Sequence, residues 1–246
     1  MFTPIGYYAA AGGSIVTANL LQWMDVIGAG GSESTALTDA SGNGNNLTNN
    51  SVPWDGTNSW FYFSSNTDWQ KYIDTGFRPV NDYGAVSWTV DMWLNVSVTI
   101  NSGGGYAGIF HNRGGVYSNN FVELAVGEAG GDVGRMNIAL IDSSAGEAAA
   151  NDSTDRDTVW NMVSFVHNTS TTQVEIYVDG VKTANGSASG IGNVNRNENP
   201  SLFGNFLNSG RYIQNAKFGS YRFYTAAHTA TECAQNYEAE KSHFGL

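Results

Sequence analysis

Apolar and polar residues alternate one by one from Trp88 to Val98. Trp88, Val90, Met92, Leu94, Val96 and Val98 fall on one side of this run, and Thr89, Asp91, Trp93, Asn95 and Ser97 on the other. A period of two places successive side chains on opposite faces of an extended strand, whereas a helix would scatter both sets around its axis. The same reading predicts strands over 121–126, 135–141, 159–167 and 174–178. Shorter strands are predicted over 20–26, 60–63, 71–76, 108–111, 202–206 and 218–224. In the longest of these runs, Val90, Met92, Leu94, Met136, Ile138, Leu140, Val174, Ile176 and Val178 form the expected core face.

Turn chemistry separates the runs. Asp55-Gly56, Asp179-Gly180 and Asn185-Gly186 tolerate positive φ and favour tight hairpins. Gly103-Gly104-Gly105 and Gly114-Gly115 read as loops. Many short strands at this spacing predict an all-β sandwich or barrel. One segment departs from the pattern. Thr229 and Glu232 have capping-box spacing, so a helix is expected from there to about residue 241, with Gly245 beyond its end.

The first 17 residues carry no charged side chain and no alternation. They read as an arm, 1–17, in front of one sandwich domain, 18–246. Such an arm packs either on its own domain or on a partner. The start lacks a basic flank and an apolar core, so it does not read as a secretory signal.

Composition removes several functions. The 22 acidic residues against 11 basic ones give a formal charge of −11, which a phosphate backbone repels, so no nucleic-acid partner is expected. No apolar run is long enough to cross a membrane as a helix. The single cysteine, Cys233, can form neither an internal disulfide nor a cysteine-based zinc site.

Several segments resemble a known family in order along the chain. Leu20-Leu21-Gln22-Trp23-Met24-Asp25, followed by the stretch from Thr38 to Thr48, resembles the opening of a laminin-G-like domain of the concanavalin A-like lectin/glucanase superfamily. Ser87 to Trp93, Val159 to Val163, and Ile176-Tyr177-Val178-Asp179-Gly180 resemble its inner strands and hairpin. Gly219 to Tyr224, then Thr231-Glu232 and Gln235-Asn236-Tyr237, resemble its closing strand and helix; Ala226-Ala227-His228 departs from the usual pattern between them. The resemblance implies a two-sheet antiparallel jelly-roll sandwich with a short C-terminal helix. It says little of function, because this fold hosts lectins, hydrolases and structural proteins. The arrangement is also similar to single-domain proteins of tailed bacteriophages. That implies a non-enzymatic virion protein, a capsid decoration or fibre accessory on the outer surface, with other virion proteins and further copies of itself as partners. Phe2, Pro4, Ile5, Tyr7 and Tyr8 would then make the attachment. The alternatives are a secreted or cell-surface carbohydrate-binding module and a divergent glycoside hydrolase.

Catalytic pairs are hard to find. Retaining glycosidases need carboxyls about 5–5.5 Å apart. Glu123 and Glu128 are offset by an odd number and point to opposite faces of a regular strand. Glu175 and Asp179 share a face but lie about 13 Å apart by strand rise. His111, His167, His228 and His243 sit in no nucleophile motif, and Cys233 falls in the helix. Calcium would suit the 39–46 loop through Asp39, Asn43 and Asn45, or the acidic loop of Asp152, Asp155 and Asp157. The competing reading of both is turn chemistry. For a glycan, the face opposite the core offers Asp91, Trp93, Asn95, Arg135, Asn137, Glu175 and Tyr177. A ring would stack on the sugar and the polar groups would bind its hydroxyls. The competing reading is that other chain covers this face and Trp93 fills a satellite core.

Overall fold

The structure is a computed structural model that describes residues 13–63, 71–96, 107–112, 119–128, 132–156, 158–195, 200–202 and 216–246. The glycine clusters at 103–105 and 114–115, the arm residues Phe2, Pro4, Ile5, Tyr7 and Tyr8, and Asp157 lie outside them.

The expected two-sheet antiparallel sandwich is what the chain forms. Its strands are β1 (Leu20–Met24), β2 (Thr48–Asn50), β3 (Trp54–Asp55), β4 (Trp60–Phe63), β5 (Tyr72–Asp74), β6 (Trp88–Val96), β7 (Ala107–His111) and β8 (Phe121–Glu128). They continue with β9 (Asp132–Ile141), β10 (Glu147–Asn151), β11 (Trp160–Asn168), β12 (Gln173–Val178), β13 (Val181–Ser187), β14 (Ser201–Leu202) and β15 (Ala216–Tyr224). The first sheet runs β13-β12-β11-β6-β15-β4-β3, and the second runs β10-β9-β8-β7-β14-β5-β2. β1 and β4 share one edge of β15 end to end: β4 pairs with its first half and β1 with its second.

All nine expected core residues are buried in one cluster between the sheets. Phe61, Phe63, Phe110, Phe165, Phe218 and Phe223 fill the same layer. The sequence reading missed β2, β3, β10 and β13, and the single turn α1 (Glu33–Ala36). These elements are short or show no clear alternation, so their pairing comes from neighbours already in place.

Two glycine dipeptides behave differently. Asp179 and Gly180 have φ of 52° and 77°, the two positive values that a tight β12–β13 turn requires. Asn185-Gly186 is not a turn; it lies inside β13. A Cβ at Gly186 would run into the carbonyl of Ala149 on β10. The glycine is there because the edges of the two sheets meet at that point.

The helix α2 (Ala230–Glu240) closes the chain, followed by a 3-10 turn over Lys241–Phe244. Both halves of the capping box are made between Thr229 and Glu232. Gly245 takes φ of 80° just past the end. Cys233, Asn236, Glu240 and Phe244 recur every three or four residues and point down onto the outer face of the first sheet. Cys233 packs on Val166 and Tyr177. Asn236 donates to Asp91 (2.7 Å) and to the Tyr224 hydroxyl (3.0 Å), and its carbonyl accepts from the backbone of Val16 (2.7 Å). Glu240 pairs with Arg222 of β15 and accepts the indole N–H of Trp93 at 2.7 Å. Gly219 leaves the room for this docking, since a Cβ there would stand 2.6 Å from the Phe244 ring.

Two outcomes follow from this packing. Glu240→Gln removes the hydrogen-bonded counter-charge of the buried Arg222 guanidinium and leaves it the field of Asp91, its register partner on β6, which costs about 3 kcal/mol or more in denaturant unfolding. The double change Arg222→Met with Glu240→Leu should recover most of that loss, and a single variant with unchanged stability would refute the account. The second outcome concerns pH. Burial holds the pKa of His167 below its ordinary 6.5, while its ring hydrogen-bonds the Val86 carbonyl. Below that pH the unfolded chain takes up a proton that the folded one refuses, so stability falls as pH drops. A thermal melt from about pH 7.5 to about pH 5 should show it, and His167→Gln should flatten the slope.

Candidate functional site

The outer face of the first sheet divides into a sealed part and an open part. α2 and its 3-10 turn make the sealed part. Asp91 and Trp93 are fully buried there, so the Trp93 ring has no face to offer a sugar. Phe244 stacks on it at 4.2 Å and Tyr237 at 5.8 Å. Glu175 and Tyr177 lie on the same face and bond to each other at 2.7 Å, with Lys182 on the free Glu175 oxygen at 2.7 Å. Burial, then the Glu175 carboxylate, pushes the Tyr177 hydroxyl above its ordinary pKa.

Arg135 and Asn137 are on β9, in the other sheet. Asn137 donates to the Asn151 side chain, and Arg135 pairs with Asp155 at 2.7 Å. The expected glycan residues therefore do not converge on one surface. The reason is physical: alternation fixes which face a side chain takes within its own strand, but not which sheet the strand joins or what covers that face.

Among the described residues, the same face stays open beyond Phe244. Four residues stand side by side there across four strands. Tyr62 of β4 pairs with Lys217 of β15, Lys217 with Asn95 of β6, and Asn95 with Trp160 of β11. Trp60, two residues before Tyr62, shares their side of the sheet. The rings of Trp60 and Trp160 meet at 5.5 Å, and Trp160 meets Phe244 at 4.7 Å. The Lys217 ammonium sits 4.8 Å above the Trp60 ring. All five residues are partly exposed. Among the described residues, the Trp60 and Trp160 indole N–H groups, the Tyr62 hydroxyl and the Lys217 ammonium have no hydrogen-bond partner, and none of these atoms is buried. Asn95 donates weakly, at 3.3 Å, to the Thr158 carbonyl. Trp60 and Tyr62 fall in a predicted strand, but four consecutive aromatic residues there hide which two face outward.

The other expected sites are occupied by the chain itself. The Asp39 carboxylate accepts from Trp23, Ser41 and Asn45 backbone N–H groups and from the Ser41 hydroxyl. Asn43 and Asn45 donate to the Leu21 carbonyl. Donors aimed at both oxygens of Asp39 clasp β1 to the loop; they do not suit a cation, so the calcium expectation gives way to turn chemistry. Asp152 pairs with Arg156 as Asp155 does with Arg135. Among the described residues no group of three acids, histidines or cysteines suits a metal.

Catalytic pairs fare the same way. Glu123 has His111 and Ala139 as its register partners, not a second carboxylate. Asp179 ties its turn to β11 by accepting from the Asn161 amide and the Met162 backbone N–H, and burial raises its pKa. Cys233 is fully buried under α2, where burial pushes its thiol well above the ordinary value.

A groove of about 440 Å³ lies elsewhere, between Arg78, Val80, Asp82, Ser87 and Thr225. Its polar groups are already engaged. Arg78 reaches Asn81 and the Asn195 carbonyl, Asp82 accepts from Gly84 and Val194, and Ser87 bonds Thr169. No aromatic ring lines it.

The described end of the arm is tied to the domain. Gln235 donates to the Ser14 carbonyl at 2.6 Å, and Val16 is held by Asn236 at 2.7 Å.

Comparison with known proteins agrees with this architecture. No curated protein sequence matches the chain. Among solved structures, the Botulinum neurotoxin serotype D ligand binding domain in complex with N-acetylneuraminic acid is similar, with a TM-score of 0.69 and 14% identity; the likeness covers 92% of this chain and 52% of that one. The Botulinum neurotoxin serotype G binding domain gives 0.68 and 14%, over 91% and 52%. The binding domain of Paraclostridial Mosquitocidal Protein 1 gives 0.67 and 15%, over 89% and 52%. The chain thus spans about half the length of these chains, and at such identity the likeness is one of fold. A laminin G sequence profile described as "Concanavalin A-like lectin/glucanases superfamily" matches residues 72–234, more than half of the chain. This sandwich, with its helix closed over one sheet, belongs to the concanavalin A-like lectin/glucanase superfamily.

Proposed function

We propose that the chain is a non-catalytic binding module that holds a saccharide on the open end of the first sheet. The observation that carries this reading is the Trp60–Trp160 pair. Two indoles lie partly exposed beside each other, with both N–H groups unpartnered among the described residues. A sugar ring presents C–H groups on its faces and hydroxyls at its rim. The indoles suit the former, and Tyr62, Asn95 and Lys217 stand where they can bond the latter. The similar solved structures are binding domains by name, which supports a recognition role at an extracellular or cell-surface partner.

One observation favours attachment to a particle as well. Residues 14–16 are held along α2, so the described end of the arm is fixed beside the helix. An arm tied down at its root suits a capsid decoration or fibre accessory that displays the sandwich outward on a virion. Many copies on a particle would convert weak single-site sugar affinity into avidity. Mass spectrometry of purified particles tests this second reading, and absence of the chain from them would end it.

The saccharide reading has its own test. On a glycan array, Trp60→Ala should weaken binding at least about fivefold, the loss of roughly 1 kcal/mol of ring contact. Its melting temperature should change little, because Trp60 is partly exposed. Trp93→Ala should instead open a cavity under α2 and lower stability by about 3 kcal/mol or more. A flat array for the unaltered protein would overturn the reading.

A further inference from the structure

We infer that the saccharide held by the Trp60–Trp160 platform is anionic, with its carboxylate or sulfate group on Lys217. This rests on the saccharide reading above and names the class of sugar. The first reason is the balance of hydrogen-bonding groups. A neutral sugar offers hydroxyls that both donate and accept, and it is best matched by a mixture of donors and acceptors. The platform is lopsided. Trp60 and Trp160 can only donate, and so can Lys217. The Tyr62 hydroxyl and the Asn95 amide supply the few acceptors in the row.

The second reason is charge. The whole chain carries −11, so an unneutralised cation is the exception on its surface. Five other cations among the described residues have counter-ions: Lys182 with Glu175, Lys241 with Glu238, Arg135 with Asp155, Arg156 with Asp152 and Arg222 with Glu240. Lys217 forms no ion pair among the described residues and rests on the Trp60 face instead.

Among the described residues, the carboxylates of Asp55 and Asp179 flank the platform, and both are engaged. Asp55 is the register partner of Trp60. Its oxygens accept from the Thr57 and Asn58 backbone N–H groups and from the Asn58 amide. Those bonds, with Asn58 foremost, hold its pKa low, and the field of Lys217 contributes least. Asp179, beyond Trp160, is turned to Asn161 and Met162. Neither forms an ion pair with Lys217, so the ammonium is left to meet an anion from outside. A ring anchored on the two indoles with an acidic substituent over Lys217 satisfies the apolar, donor and charged parts of the platform together.

Titration calorimetry with defined oligosaccharides tests this. The probes are trigalacturonic acid, its neutral methyl ester and a sulfated galactan oligosaccharide of similar length. At low ionic strength the acid should bind about fivefold tighter than the ester, as one partly exposed ion pair allows. Lys217→Met should remove the preference, so that the variant binds acid and ester with equal affinity. Lys217→Arg should retain the preference, and Trp60→Ala should weaken acid and ester alike. Sulfated sugar that binds as tightly as the acid and depends equally on Lys217 assigns the site to anionic sugars in general; weaker binding assigns it to carboxylates. Ester that binds as tightly as acid overturns the inference while leaving the saccharide site standing. So does an acid affinity unchanged in Lys217→Met. No binding by any of the three probes overturns both.

Discussion

A guanidinium buried beneath a helix determines what the first sheet can present. Arg222 projects from the middle of β15 on the side away from the core, where an isolated charge could not remain without water. Glu240 answers it from α2, and the same carboxylate takes the Trp93 indole N–H. Burial drives the Glu240 pKa up, and Arg222 is the chief influence opposing it. The pair fixes the helix in position along the sheet, because an apolar contact could slide by a fraction of a turn and a buried ion pair cannot. Asn236 adds a second fixed point. Its one carbonyl and two N–H groups are all matched, to the arm, to β6 and to β15.

Much of this was legible in the residues, and the limits have definite causes. Strict alternation in β6, β9 and β12 identified the core face correctly, because a one-residue slip would have turned every apolar side chain to the outside. The capping box located the helix start, since its two bonds are local to residues 229–232. The platform was not legible. Trp93 and Trp160 both sit on outward positions, and only the landing place of a helix some 70 or more residues farther along the chain separates a sealed indole from an open one. Asn185-Gly186 misled for a related reason. The dipeptide permits a turn, but its glycine was required by the approach of Ala149 from the other sheet.

The family resemblance acquires a physical meaning at Gln235-Asn236-Tyr237. Gln235 holds the arm through Ser14, Asn236 joins three elements, and Tyr237 stacks on Trp93. Three consecutive residues thus seal the helix to the sheet and the arm to the helix. That explains why such a run marks the fold without marking a function. Its contacts are internal, and a ligand site must be sought where those contacts stop.

They stop at Phe244. Its ring contacts Trp93 on the sealed side and Trp160 on the open side, so one side chain ends the packing of the helix and begins the platform. The consequence is energetic. A ligand that orders a loose side chain must offset about 0.5–1.5 kcal/mol of lost rotamer freedom for each one. Here Trp160 is held by Phe244 and Trp60 by Trp160, and both stand on strands of a sheet already fixed by the core. The rings are therefore close to their binding arrangement before any ligand arrives, and most of the contact energy can appear as affinity. Strength gained in this way depends on the helix staying closed. The stability of the Arg222–Glu240 pair and the affinity of the platform are coupled through Phe244, although the two lie on opposite sides of it.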